Sequence, residues 1–260
     1  LGWSLKPGAP AKDAAQAEHK ERRDHPEQNQ IEWKSAACTH IAALLNLTDR
    51  RAEAARQTKP VASRVAGRRI GLYGGGMILL RHGQSEFNLH FSATRRDPGI
   101  VDPRLTELGH VQAVDAACVL AEQSISRIIT SPYTRALQTA APLARALRVP
   151  VVVNPIVRER YAFACDIGTP RTELERAWPE HDFSELDEIW WPAIEEPAEA
   201  VQARAALFRA ELAALPDWSD TVVVSHWGFI LCLTGQSVMN GTWLRCDPYA
   251  PPPAQVVWRA

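Results

Sequence analysis

The sequence predicts an α/β domain built on a mostly parallel sheet, and three observations predict it. Short apolar runs of strand length recur at Met77–Leu80, Arg127–Ser131, Val151–Asn154 and Thr221–Ser225. Between them lie longer stretches whose apolar residues return at spacings of three and four, the period of a helix with one buried face. Polar residues able to do chemistry stand directly after the strands, where open α/β sheets bind their ligands.

Before the first strand the chain has a different character. Residues 1–76 carry 13 Lys and Arg against 8 Asp and Glu, whereas residues 77–260 carry 16 against 22. All five lysines (Lys6, Lys12, Lys20, Lys34 and Lys59) precede Met77, which is also the first methionine. This region lacks sustained apolar periodicity apart from one short candidate helix around Ser35–Leu47, so residues 1–71 are expected to be a disordered extension, part of it translated from upstream of the true start. Eight acidic residues argue against a transit peptide. The folded domain is expected over 72–247, followed by a Pro-rich tail over 248–260.

Met77-Ile-Leu-Leu80 reads as a buried strand, and Arg81-His82-Gly83 follows it, then Ser85 and Asn88. Arginine offers a forked, permanent cation suited to phosphate oxygens, histidine a nucleophile or proton carrier near neutral pH, and Gly83 a close backbone approach to a ligand. The stretch His90–Val101 is expected to be a loop, containing Arg95 and Arg96. Thr106 is a plausible N-cap for a helix with a buried stripe of Val111, Val114, Cys118 and Ala121. Within it Gly109 and Gln112 are expected to serve packing.

Arg127–Ser131 is the second strand. Pro132 is expected at the start of a helix with Leu137, Ala140, Ala144 and Leu147 on its apolar face. Arg135 lies in that helix's first turn, where a cation opposes the helix dipole unless an anion binds there. The third strand leads to Glu159, Arg160 and Tyr161. Thr169 and Pro170 read as N-cap and first residue of a helix through Trp178. Residues 179–197 form an irregular acidic and aromatic insert with Phe183, Trp190 and Trp191, either a lid or substrate wall or a satellite core. A long helix carries Val201, Ala205, Phe208, Leu212 and Leu215. The fourth strand ends in His226-Trp227-Gly228, repeating the strand–histidine–glycine order of the first. Gly241–Cys246 reads as an edge strand, and Gln255–Trp258 as a further segment pairing at an edge.

The stretch Leu80-Arg-His-Gly-x-Ser-x-x-Asn88 resembles the signature of the histidine phosphatase superfamily, which includes the phosphoglycerate mutases. Leu105-Thr-x-x-Gly-x-x-Gln-Ala113 and Ser131-Pro-x-x-Arg-Ala-x-Gln-Thr139 are similar to further motifs of that superfamily. The resemblance covers roughly Met77–Cys246 and implies a three-layer α/β/α sandwich of the phosphoglycerate mutase-like kind. It implies catalytic roles for His82 as the nucleophile that becomes phosphohistidine, Glu159 as proton donor and acceptor, and His226 as a cationic partner. Phosphate would be held by Arg81, Arg135 and His226, with Asn88 and Ser85 adding hydrogen bonds. Arg160, Tyr161, Arg95 and Arg96 are candidates for a second anionic group on the substrate.

The expected activity is a phosphomonoesterase acting on a small phosphorylated substrate, with water as acceptor. A phosphoglycerate mutase-type phosphotransferase and a catalytically idle phosphate-binding module stay open. In resembling mutases the acid is followed by Arg-His-Tyr-Gly, whereas Glu159 is followed by Arg160-Tyr161-Ala162. That departure favours the phosphatase. No cofactor and no metal is expected, since no His/Asp cluster has metal-ligand spacing. Nucleic acid and membrane are not expected partners either: the part after Met77 is acidic and no run reaches 18 apolar residues. Five scattered cysteines, without Cys-x-x-Cys, suit a reducing, cytoplasmic setting. The oligomeric state is left open.

Overall fold

The computed structural model describes residues 76–258. The extension expected over 1–71, the short helix around Ser35–Leu47 and the domain start at Leu72 lie outside the described residues. In order, the described chain forms β1 (Met77–Arg81), α1 (Glu86–Thr94), α2 (Glu107–Leu120), β2 (Arg127–Thr130), α3 (Thr134–Leu147), β3 (Val151–Val153), α4 (Arg171–Ala177), α5 (Ala198–Ala213), β4 (Thr221–Ser225), α6 (Trp227–Thr234) and β5 (Trp243–Cys246). Three short 3-10 turns interrupt the connections.

The five strands form one sheet in the order β3-β2-β4-β1-β5. β1, β2, β3 and β4 run parallel, and β5 runs antiparallel along β1. Side chains alternate across a strand, and here the alternation divides the core in two. Met77, Leu79, Ile129 and Val223 face one cluster with Val201, Ala205, Phe208 and Leu212 of α5 and Phe229, Ile230 and Leu233 of α6. Ile78, Leu80, Ile128, Val222 and Val224 face the other, with Ala116, Ala117 and Leu120 of α2 and Ala136, Ala140 and Leu143 of α3. The result is three layers, helix–sheet–helix, around strands buried on both faces.

Several elements depart from the sequence expectation. His90 lies in helix rather than loop, because Ser85 and Asn88 close a capping box that starts α1, which then continues to Thr94. On α2 the buried residues include Ala113, Ala116, Ala117, Cys118 and Leu120, while Val111 is exposed. Small side chains let this helix sit close to its neighbours. α3 begins at Thr134 rather than Pro132, with Asp102 accepting from the Thr134 N–H (3.0 Å) and hydroxyl (2.6 Å). The Thr169 hydroxyl goes to the same carboxylate (2.6 Å), so Pro170 takes the N-cap of α4.

The insert is a satellite core: Phe183, Leu186 and Trp190 are buried with Tyr133, Leu137, Val153 and Leu174. Gln255–Trp258 forms no strand. Val256 and Trp258 instead pack by their side chains against the α5–α6 cluster, so the described part of the Pro-rich segment is attached to the domain.

Candidate active site

The parallel pairing of β1 with β4 places Arg81 opposite Ser225, so the next residues, His82 and His226, leave the sheet side by side. The His82 N–H donates to the Ser225 carbonyl (3.0 Å) and fixes this junction. The two imidazole centroids are 5.0 Å apart. β2 is the other neighbour of β4, and it delivers Ser131 to the same edge. The Ser131 hydroxyl lies 2.8 Å from His226 Nε2.

The turn after β1 is held from several sides. A Cβ on Gly83 would stand 2.3 Å from the Gly109 carbonyl, and one on Gly109 would stand 2.1 Å from the Gln84 carbonyl. Only two glycines allow α2 to press against this loop. Gln112 accepts from the Gln84 N–H (2.8 Å), and Thr139 of α3 accepts from the Gly83 N–H (3.1 Å). Gly109 and Gln112, expected to pack against the sheet, are instead set against the loop that follows β1. Asn240, which sequence reasoning missed, donates to the His82 carbonyl and to Asn88 Oδ1, both at 3.1 Å.

His82 is 4% exposed and its Nδ1 stands 2.7 Å from the Gly83 carbonyl. A carbonyl only accepts, so Nδ1 carries the proton and Nε2 keeps its lone pair. Burial, then the Arg135 and Arg81 charges, hold the His82 pKa well below the usual imidazole value. His226 is completely buried, and burial followed by Arg135, His82 and Arg81 depresses its pKa in the same way. With no anion beside it the imidazole is therefore held toward its neutral form, and the cationic state expected from the resemblance would need a bound anion.

Arg81 is half-buried and donates through Nη1 to the Val238 carbonyl (2.8 Å). Burial lowers its pKa to about 10, with Glu159 opposing and Arg135 adding to the fall, so it stays cationic at neutral pH. Its Nε and the Nδ1 of His226 are both buried without a hydrogen-bond partner. Two unsatisfied polar atoms on one sheet edge are costly unless something else meets them, and an oxyanion would.

Arg135 is 3% exposed. It donates to the Cys165 carbonyl (2.8 Å) and to Asp166 Oδ1 (3.2 Å), and its guanidinium lies 4.2 Å from the Tyr133 ring centroid. Glu159 is half-buried, one carboxylate oxygen accepting from the Arg160 N–H (2.8 Å) and the other from the Gly228 N–H (3.1 Å) at the start of α6. The acid is thereby tied to the helix that follows His226. Arg204 of α5 fixes its backbone, donating to the carbonyls of Ile156 (2.7 Å), Arg158 (3.0 Å) and Glu159 (3.3 Å) while paired with buried Glu196 (2.7 Å). Nothing in the sequence order pointed to Arg204 or Glu196.

The remaining candidates separate. Ser85 caps α1: its hydroxyl donates to Asn88 Oδ1 (3.0 Å) and accepts from the Asn88 N–H (3.3 Å). Asn88 Oδ1 also accepts from the Ser85 N–H (3.1 Å). Arg160 is paired with Glu195 (2.8 Å) and lies 4.9 Å from the Trp258 ring centroid. Tyr161 is half-buried, with its carbonyl accepting from Glu196 N–H (2.8 Å). Arg95 and Arg96 are exposed beyond the end of α1. Among the described residues no group of three or more His, Cys, Asp or Glu is arranged to hold a metal ion.

A sequence family described as the histidine phosphatase superfamily (branch 1) matches residues 77–245. The chain belongs to the histidine phosphatase superfamily. It is 32% identical over 174 residues to a glucosyl-3-phosphoglycerate phosphatase of Mycobacterium tuberculosis, covering 61% of this chain and 73% of that protein. It is also 32% identical over 160 residues to a probable phosphoglycerate mutase GpmB of Proteus mirabilis, covering 60% and 72%. Among solved structures, a mycobacterial glucosyl-3-phosphoglycerate phosphatase complexed with VO3 is 28% identical, with a TM-score of 0.48 over 65% of this chain and 90% of that one. Among the described residues no helix is long and apolar enough to cross a membrane.

Proposed function

We propose that this histidine phosphatase is a phosphomonoesterase that moves a phosphoryl group from a small phosphorylated metabolite to His82 Nε2 and then to water. The observation that carries the reading is the state of His82: proton on Nδ1, lone pair on Nε2, ring neutral, and two arginines on the same edge. A nucleophile needs the first three, and phosphoryl transfer needs the cations.

In this reading Arg81 and Arg135 take the phosphoryl oxygens, and the partnerless Arg81 Nε and His226 Nδ1 are met by them. A bound dianion also raises the His226 pKa, which gives that ring a proton when the anion arrives. Nε2 of His82 forms the N–P bond as the P–O bond to the leaving group breaks, and Glu159 protonates the departing oxygen. Glu159, now a carboxylate, takes a proton from water as water attacks phosphorus and His82 leaves. The products are the alcohol and inorganic phosphate. Asn88 adds hydrogen bonding beside the loop, and no metal takes part.

The catalytic domain over 72–247 is supported by the family match to 77–245. Relatives with phosphatase and mutase names leave water and phosphoglycerate as rival acceptors. Water is favoured because Arg160, the cation following Glu159, is already paired with Glu195, which weakens its grip on a second anionic group. Arg95, Arg96 and Tyr161 remain for the alcohol part of the substrate. Small phosphorylated substrates and scattered cysteines suit a cytoplasmic enzyme.

The test is phosphate release in EDTA from a panel of phosphomonoesters that includes glucosyl-3-phosphoglycerate and the phosphoglycerates, with His82→Ala alongside. Release by the native protein alone is expected. Isomerisation of a phosphoglycerate without release would give the mutase instead, and binding without either reaction would give the idle module.

A further inference from the structure

Asp166 has no place in the scheme above, yet it is 1% exposed and faces a proposed phosphate-binding arginine. Its Oδ1 pairs with Arg135 Nη2 at 3.2 Å, with both side chains at 3% exposure or less. Its Oδ2 accepts from the Ala162 and Phe163 N–H groups, both at 3.1 Å, which bends the chain three residues after Glu159. The neighbouring Cys165 carbonyl accepts from Arg135 Nη1 (2.8 Å), and the Tyr133 hydroxyl donates to the Asp166 carbonyl (2.5 Å). The guanidinium is thus held on one side by a carboxylate and a carbonyl from a single turn, and on its face by the Tyr133 ring.

We infer that Asp166 is the positioning residue for Arg135: its carboxylate holds the guanidinium fork in the orientation that grips a substrate's phosphoryl oxygens, and ties that grip to the loop carrying Glu159. This rests on Arg135 binding phosphate, as proposed above. A first-turn arginine has no favourable partner in its own helix, because the dipole there repels a cation. Arg135 needs an external counter-charge before the substrate arrives, and Asp166 supplies it. Burying two charges is tolerable when they are paired and further hydrogen-bonded: Asp166 Oδ2 is met by two N–H groups, and Arg135 Nη1 by the Cys165 carbonyl.

The pair also has a pH dependence. Burial pushes the Asp166 carboxyl up to about 6, Arg135 opposes that rise, Glu159 adds to it, and the Ala162 and Phe163 N–H groups oppose it. Of the other titratable groups facing the pair, Tyr133 and Cys165 are kept neutral by burial, and Asp102, packed on the start of α3, adds a negative charge that acts on Arg135. Below about pH 6 the clamp loses its charge and Arg135 loses its anchor.

Orthovanadate binding by calorimetry reads the clamp without turnover, so an inactive native protein would fail the phosphatase reading and leave this inference testable. For Asp166→Asn we expect vanadate affinity to fall, and KM to rise, by roughly ten- to a hundredfold, the scale of one lost charged hydrogen bond. The effect should be lost in an Arg135→Ala background, because both variants remove the same grip. Phosphomonoesters titrate near pH 6 and vanadate changes its own ionisation with pH, so the comparison is between native and variant on the same probe: the native protein should show an added loss of affinity below about pH 6 that Asp166→Asn lacks. Unchanged or tighter vanadate binding in Asp166→Asn, or losses that multiply with those of Arg135→Ala, would overturn the inference. If Asp166→Asn does not fold, Tyr133→Phe decides. Freed from the hydroxyl, the turn should bind vanadate roughly two- to fivefold more weakly, as for one neutral hydrogen bond, and no change would overturn it.

Discussion

β1 and β4 end alike, each a buried strand followed by histidine, yet their histidines are in different chemical states. His82 gives its Nδ1 proton to the adjacent Gly83 carbonyl, which leaves Nε2 free. His226 has its Nε2 occupied by Ser131 and its Nδ1 without a partner. The first arrangement suits the nucleophile proposed above. The second makes a ring waiting for an oxyanion. Both rings are buried and both feel Arg135 and Arg81, so the difference in which nitrogen is free comes from hydrogen bonding. It teaches that a repeated strand–histidine order fixes where two rings stand, while their neighbours fix what each can do.

The sharpest way to break the comparison is to remove each ring. His82→Ala is expected to lower kcat/KM by at least about 10⁴-fold, because it removes the group proposed to form the phosphoenzyme. Alkali-quenched labelling with a radioactive phosphomonoester, which preserves an N–P bond, should give no protein-bound phosphate. His226→Gln should retain labelling and lose roughly 10²- to 10³-fold in kcat, the scale of one oxyanion contact. Equal losses in both variants, with labelling gone from both, would show that the two rings act as one unit.

Ser131→Ala tests the difference more gently. It frees His226 Nε2 without touching His82, and a loss of about tenfold in kcat/KM is expected from one buried hydrogen bond. Labelling of His82 should persist.

Stability offers the smallest reading. Both imidazoles have folded pKa values below the unfolded value of 6.5, so the unfolded chain binds more protons and stability falls as pH drops below 6.5. Each ring contributes a slope of about 1.4 kcal/mol per pH unit in that window. Asp166 acts in the opposite sense between pH 3.8 and about 6, since its raised carboxyl is protonated first in the folded state. Urea unfolding between pH 7 and 5 should show the net decline, and His226→Gln should flatten it.

Much of the fold was legible because its signals are local. Met77–Leu80 and Val222–Val224 are continuous apolar runs, as strands buried on both faces require. Val201, Ala205, Phe208 and Leu212 kept their helical spacing and are buried on α5. The α2 stripe was misjudged because apolar character alone favours valine, whereas close packing selected alanines. His90 was placed in a loop because a capping box at Ser85 and Asn88 can also be read as polar ligand chemistry.

By itself the sequence determined which chemically capable residues stand at strand ends and that a parallel sheet would gather those ends on one edge. This information is carried by neighbouring residues and by periodicity. Only the tertiary structure decided which nitrogen of each histidine is free, that Asp166 holds Arg135, and that Arg204 and Asn240 fix the loops of Glu159 and His82. Apart from the His82–Gly83 hydrogen bond, those contacts join residues 31 to 158 positions apart, and their strength comes from burial and angle, which a linear order of residues does not contain.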